Sequence, residues 1–125
     1  MWANGVTLRS IDLANFQSGQ SASIRLCVQV DAPARADYHW TNQLFDSSGK
    51  RWAQIDGAGY PARYWRTGDV IIQGFKIDLP VDLPIGAYTL RIGQYTYPEL
   101  ANVPVIDSAG KPHSDAVEIP VNVAR

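Results

Sequence analysis

Sulfur is almost missing from the 125 residues: Cys27 is the only cysteine and Met1 the only methionine. No internal disulfide can form, so cysteine usage leaves the redox compartment open. Histidine is nearly as scarce. His39 and His113 stand apart, with no HExxH, no pair at ligand spacing and no Cys/His cluster, which argues against a zinc site. No apolar run approaches the roughly 18 residues of a transmembrane helix. The opening Met-Trp-Ala-Asn-Gly lacks the basic and apolar regions of a signal peptide. Neither sign of charge is in excess: eleven Lys and Arg face twelve Asp and Glu, for a net charge of −1. That balance gives no electrostatic footprint for nucleic acid or an anionic membrane. Nucleophile elbows, P-loops and dinucleotide glycine fingerprints are absent as well. Helical periodicity is almost nowhere to be found.

What is present is alternation with a period of two. Ile24, Leu26, Val28 and Val30 alternate with Ser23, Arg25, Cys27 and Gln29, the mark of a half-buried antiparallel strand. Phe75, Ile77 and Leu79, then Tyr88, Leu90 and Ile92, then Val117, Ile119, Val121 and Val123 repeat it. Val6 and Leu8 share one parity while Ile11 and Leu13 share the other, which predicts a β-bulge around Arg9–Ser10. Two near copies, Asp46-Ser-Ser-Gly-Lys50 and Asp107-Ser-Ala-Gly-Lys111, read as the same turn, with Asp at its start and Gly at positive φ. Most prolines fall at strand ends; Pro120 lies inside the last run and predicts an edge strand. The expected fold is an all-β, immunoglobulin-like or fibronectin-III-like antiparallel sandwich of about seven or eight strands with Greek-key connections. No linker divides the chain, so residues 1–125 read as one domain, long enough to need no metal or disulfide staple.

The chemistry is carried by aromatics more than by titratable groups. Cys27 falls on an outward parity and reads as an inert surface or interface thiol. Carboxylates are scattered and mostly suit turns. Asp56, Asp107 and Asp115 would be the candidates for calcium, but nothing resembles an EF-hand and turn formation is the preferred reading. Pro84-Ile-Gly-Ala-Tyr88 resembles a tyrosine corner, in which the hydroxyl bonds nearby backbone. Trp40, on the parity of Tyr38 and Leu44, reads as core. The longest irregular stretch, Gly57 to Gly68, is of a length that is often functional or self-packed. Trp65 is expected to pin it to the sandwich, and Tyr60, Tyr64 and Tyr97 to be the exposed aromatics. Exposed aromatic faces flanked by amides suit saccharides; Asn42, Gln43, Gln54, Gln73 and Gln94 could supply the hydrogen bonds. The candidate ligand-binding residues are therefore Trp52, Tyr60, Tyr64, Trp65, Asn42 and Gln54, with no catalytic residue, no metal ligand and no cofactor.

An ordered set of segments carries a family resemblance: Asp37-Tyr38, Leu44-Phe-Asp-Ser-Ser-Gly49, Trp52-Ala-Gln-Ile-Asp-Gly57 and Tyr60-Pro61 come first. Trp65-Arg-Thr-Gly-Asp69, Asp82-Leu-Pro-Ile-Gly-Ala-Tyr88-Thr-Leu-Arg-Ile-Gly-Gln-Tyr95 and Val103-Pro-Val-Ile-Asp-Ser-Ala-Gly110 follow. The succession, from about Val6 to Val123, resembles the β-sandwich domains at the C-terminus of polytopic bacterial glycosyltransferase-like membrane proteins, especially those of Chloroflexi-type bacteria. The resemblance implies a non-catalytic, extracytoplasmic accessory or binding module, with a glycan or the parent membrane protein as partner. On that view the chain is an excised domain starting at an added Met1, or a stand-alone relative, and a monomer or weak homo-oligomer. The alternative is a structural module that contacts the parent or another copy of itself. One departure stands out: the family's apolar middle strand is polar here at Thr41, Asn42 and Gln43. Either Asn42 finds a buried partner or this sheet face is wet and open for binding.

Overall fold

A computed structural model describes residues 1–125. Seven long strands build two antiparallel sheets: β1 (Val6–Ala14), β2 (Ser21–Val30), β3 (Tyr38–Asp46), β4 (Arg51–Gly57), β5 (Val70–Asp78), β6 (Gly86–Thr96) and β10 (Val117–Val123). Three short segments, β7 (Asn102–Val103), β8 (Val105–Ile106) and β9 (Pro112–Ser114), fill the excursion between β6 and β10. One sheet runs β1-β2-β5; the other runs β10-β6-β3-β4, with β7 also pairing β6. No helix is long and apolar enough to cross a membrane.

The alternation in the sequence is the alternation in the structure. Ala22, Ile24, Leu26, Val28 and Val30 of β2 are buried, as are Ile71, Phe75 and Ile77 of β5. Across the core stand Trp40 and Leu44 of β3, Leu90 and Ile92 of β6, and Val121 and Val123 of β10. Each strand thereby gives one face to a shared apolar core and leaves the other to water. The register of β1 on β2 slips between Leu8 and Ser10, which is the expected bulge and lets Val6 and Leu13 both face inward. β10 is an edge strand, and Pro120 therefore removes no ladder hydrogen bond from a central strand.

The two Asp turns superpose in their bonding. Asp46 Oδ1 accepts from the N–H of Ser48 (2.9 Å) and Lys50 (3.0 Å); Asp107 Oδ1 accepts from Ala109 (2.9 Å) and Lys111 (3.0 Å). Gly49 and Gly110 sit at φ +87° and +80°, where a side chain would be strained. Tyr88 donates its hydroxyl to the carbonyl of Pro84 at 2.6 Å, closing the corner into β6. Tyr88→Phe leaves that carbonyl without its partner while preserving the packing. The expected cost is about 1–2 kcal/mol in urea unfolding.

Asn42 takes the first of its two options. It is 0% exposed and faces the core, where its Nδ2 makes a long 3.5 Å bond to the carbonyl of Ile55 and its Oδ1 has no protein partner. Gln73 and Gln94 are equally buried. These three amides point away from any ligand outside the molecule.

Candidate functional site

The structure divides the six candidate residues among four places. Asn42 lies in the core. Gln54 sits on the outer face of β4 and is bonded to its own neighbours: its Nε2 donates to Asp56 Oδ1 (2.8 Å) and its Oε1 accepts from Gln43 (3.2 Å). Asp56 also accepts from Thr41 Oγ1 (2.8 Å) and from the hydroxyl of Tyr95 (3.0 Å). This outer-face network is satisfied within itself. Burial and then the bond to Asp56 push the Tyr95 phenol up to about 12. On the same face, His39 stacks on Tyr97, with ring centroids 4.2 Å apart.

Trp52 is separated from the long loop by a bulge and by the length of β4. Leu44 pairs with Ala53 and Phe45 with Arg51, so Trp52 is the extra residue. Its indole N–H donates to Asp46 Oδ2 (2.9 Å), and the Lys50 ammonium lies 3.9 Å from its ring centroid. Four strand residues lie between it and Gly57, a span of roughly 16 Å. Trp52 therefore braces the β3–β4 turn. The hydrogen bonds from Ser48 and Trp52 are the main causes that hold the Asp46 carboxyl well below its ordinary 3.8. A depressed folded value contributes stability above pH 3.8 and loses it as pH falls through the folded value. Asp46→Asn is accordingly expected to be destabilising at pH 7. The gap to wild type should narrow in strongly acidic urea titrations; a gap independent of pH contradicts the assignment.

The remaining three, Tyr60, Tyr64 and Trp65, come together in the loop between β4 and β5. A turn of 3-10 helix, Ala62–Tyr64, follows Pro61 and buries Ala62. Trp65 is 8% exposed; it stacks on Tyr38 (centroids 5.8 Å apart, planes at 13°) and donates its indole N–H to the carbonyl of Tyr60 at 3.0 Å. Trp65 pins the loop, as its position suggested. The correction is that its buried ring offers no platform to a ligand. Tyr60 and Tyr64 are 45% and 51% exposed, with centroids 5.8 Å apart. Tyr97, at 47%, completes the expected trio of exposed aromatics but belongs to the outer-face cluster.

Sequence patterning does not reveal what fixes Tyr60. Gln73, buried on β5, accepts the Tyr60 N–H at Oε1 (2.6 Å) and returns a bond from Nε2 to the Tyr60 carbonyl (3.3 Å). A side-chain amide thus replaces a neighbouring strand. The loop closes at Asp69, whose carboxylate accepts the Arg66 N–H (2.9 Å) while its own N–H donates to the Arg66 carbonyl (2.9 Å).

Two adjoining open depressions flank this loop and share Tyr60 and Asp69. One, of about 440 Å³, is lined by Tyr60, Arg63, Tyr64, Trp65, Arg66 and Asp69. The other, of about 410 Å³, adds Val70, Ile71 and Ile72. Both fall in the size range of small-molecule sites, roughly 300–1,000 Å³. Asp69 is the only carboxylate of either. No group of three His, Cys, Asp or Glu side chains could hold a metal ion, and Asp56, Asp107 and Asp115 are engaged separately.

No protein-family model matches the chain, and no curated protein sequence does. Among solved structures it is similar to a beta-glucuronidase from glycoside hydrolase family 2, with a TM-score of 0.59 and 13% identity. The match takes in 96% of this chain and 11% of that one. At this identity the likeness is one of fold. The chain corresponds to a small part of the enzyme's length.

Proposed function

We propose that the chain is a non-catalytic binding module that holds a saccharide at the β4–β5 loop. The observation that carries this reading is a pair of exposed tyrosines, Tyr60 and Tyr64, presented beside a groove by a loop whose anchors are buried. Aromatic faces supply apolar area at little entropic cost, and a preorganised loop loses little freedom on binding. The lone carboxylate in the groove supports a binding role over glycoside hydrolysis, which needs two. The strand order β1-β2-β5 against β10-β6-β3-β4 supports an immunoglobulin-like Greek key. The sequence resemblance to C-terminal domains of glycosyltransferase-like membrane proteins, and the structural likeness to part of a glycoside hydrolase, both suit an extracytoplasmic accessory role beside carbohydrate chemistry.

A glycan array on the intact domain, followed by calorimetric titration, tests the reading. Tyr60→Ala and Tyr64→Ala are expected to weaken binding by about tenfold or more, as central aromatic contacts do. Both side chains are exposed, so the thermal midpoint should hold. A domain that binds no saccharide on the array contradicts the proposal.

A second reading rests on a different observation. β5 ends the three-stranded sheet and exposes Val70 and Ile72 on its outer face, with Cys27 beside Ile72. An exposed apolar edge strand suits contact with a parent protein or another copy. That reading expects concentration-dependent association in sedimentation, abolished by Val70→Lys.

A further inference from the structure

The cations around the tyrosine pair are free. Arg63 and Arg66 are both exposed and both line the groove. Neither has a carboxylate within 4.0 Å; the molecule's one arginine–carboxylate pair is Arg91–Glu118. The one acidic neighbour, Asp69, spends an oxygen on the Arg66 backbone N–H at 2.9 Å. The Arg63 guanidinium lies 4.7 Å from the Tyr64 ring centroid. Stacking of that kind fixes the plane of the fork while leaving its N–H groups unused. A chain of net charge −1 thus places two unpaired, directional cations at the rim of its exposed aromatic pair.

Resting on the saccharide reading above, we propose that the groove selects an acidic saccharide, with a carboxylate on the sugar ring received by Arg63 and Arg66. The sugar's apolar face lies on Tyr60 and Tyr64, which contribute to any saccharide, whereas the arginines discriminate by charge. Arginine matches a carboxylate with two parallel N–H donors, and such charge-assisted bonds are about twice as strong as neutral ones.

The test is calorimetric titration of the full chain with three probes: tetragalacturonate, its fully methyl-esterified form, and cellotetraose. The acid is expected to bind roughly tenfold more tightly than its ester, the advantage of a charge-assisted contact. That advantage should shrink as salt rises, because the site is open to solvent. Arg63→Gln and Arg66→Gln should each bring the acid-to-ester affinity ratio most of the way to one while leaving the thermal midpoint in place, since both side chains are exposed. Equal binding of acid and ester overturns the charge selection and leaves the saccharide reading standing. Failure of all three probes counts against both. Undiminished acid binding by the Arg63→Gln/Arg66→Gln double variant, with its midpoint unchanged, overturns the assignment of these arginines.

Discussion

Trp65→Ala is expected to lower the thermal midpoint by roughly 12–20 °C. Large-to-small changes at buried aromatics cost about 3–5 kcal/mol, because lost transfer energy adds to the cavity left behind. In a domain of this size each kcal/mol moves the midpoint by roughly 4 °C. Trp65 carries two loads. Its ring covers Tyr38 at the mouth of the core, and its indole N–H holds the carbonyl of Tyr60. The alanine variant should therefore lose ligand at temperatures where it is still folded, since the tyrosine pair is no longer held against the sandwich. Trp65→Phe keeps an aromatic ring on Tyr38 while removing the N–H and part of the buried indole, and is expected to fall between wild type and Trp65→Ala. Circular dichroism melts of both variants check the ordering. A shift below about 5 °C for Trp65→Ala contradicts a role as anchor, given that same scaling.

Gly59→Ala, a change of one methyl group, is expected to cost about 3 kcal/mol, summing backbone strain with the loss of buried hydrogen bonds. Gly59 has φ +58°, in the left-handed region where an L side chain pays roughly 1–2 kcal/mol. The added Cβ would also run into Gln73 Oε1, the atom that accepts the Tyr60 N–H. Gln73 is fully buried on β5, so its amide can move only by abandoning both bonds to Tyr60. The clash and the anchor are one interaction, and a double-mutant cycle in urea will report it. Gln73→Ala removes both the obstacle and the bonds. Gly59→Ala/Gln73→Ala should therefore be clearly less destabilised than the sum of its parts. Strict additivity would show that the glycine answers only to its own backbone.

The strand faces were readable wherever packing is one-sided. β2, β5 and β6 alternate because each gives one face to the core, and the Arg9–Ser10 bulge shows because it inverts that alternation within a single strand. The paired Asp turns and the Tyr88 corner were equally readable, since each closes through bonds spanning four residues or fewer. The site was harder. Gln73 and Asn42 are amides, a residue type usually found at the surface, and their partners arrive from other elements of the fold. The bulge that isolates Trp52 falls between Phe45 and Leu44, and nothing in Arg51-Trp52-Ala53 announces it. Trp65 as anchor and Tyr60 and Tyr64 as exposed pair were legible in the loop, but not that the anchoring buries the Trp65 ring and removes it from the ligand-facing set. The short β7, β8 and β9 are below the length at which any period can be recognised.

A residue-resolved NMR titration of the ¹⁵N-labelled domain with tetragalacturonate and with cellotetraose decides whether the β4–β5 loop holds a saccharide. At least one of them is expected to shift the amides of residues 58–70 and the indole of Trp65. The indole of Trp52 and the amides of Gln43 and Gln54 should stay in place. No shift with either saccharide, or shifts confined to the Asp46–Trp52 turn or the outer face around Asp56 and Tyr95, would contradict a saccharide site on that loop.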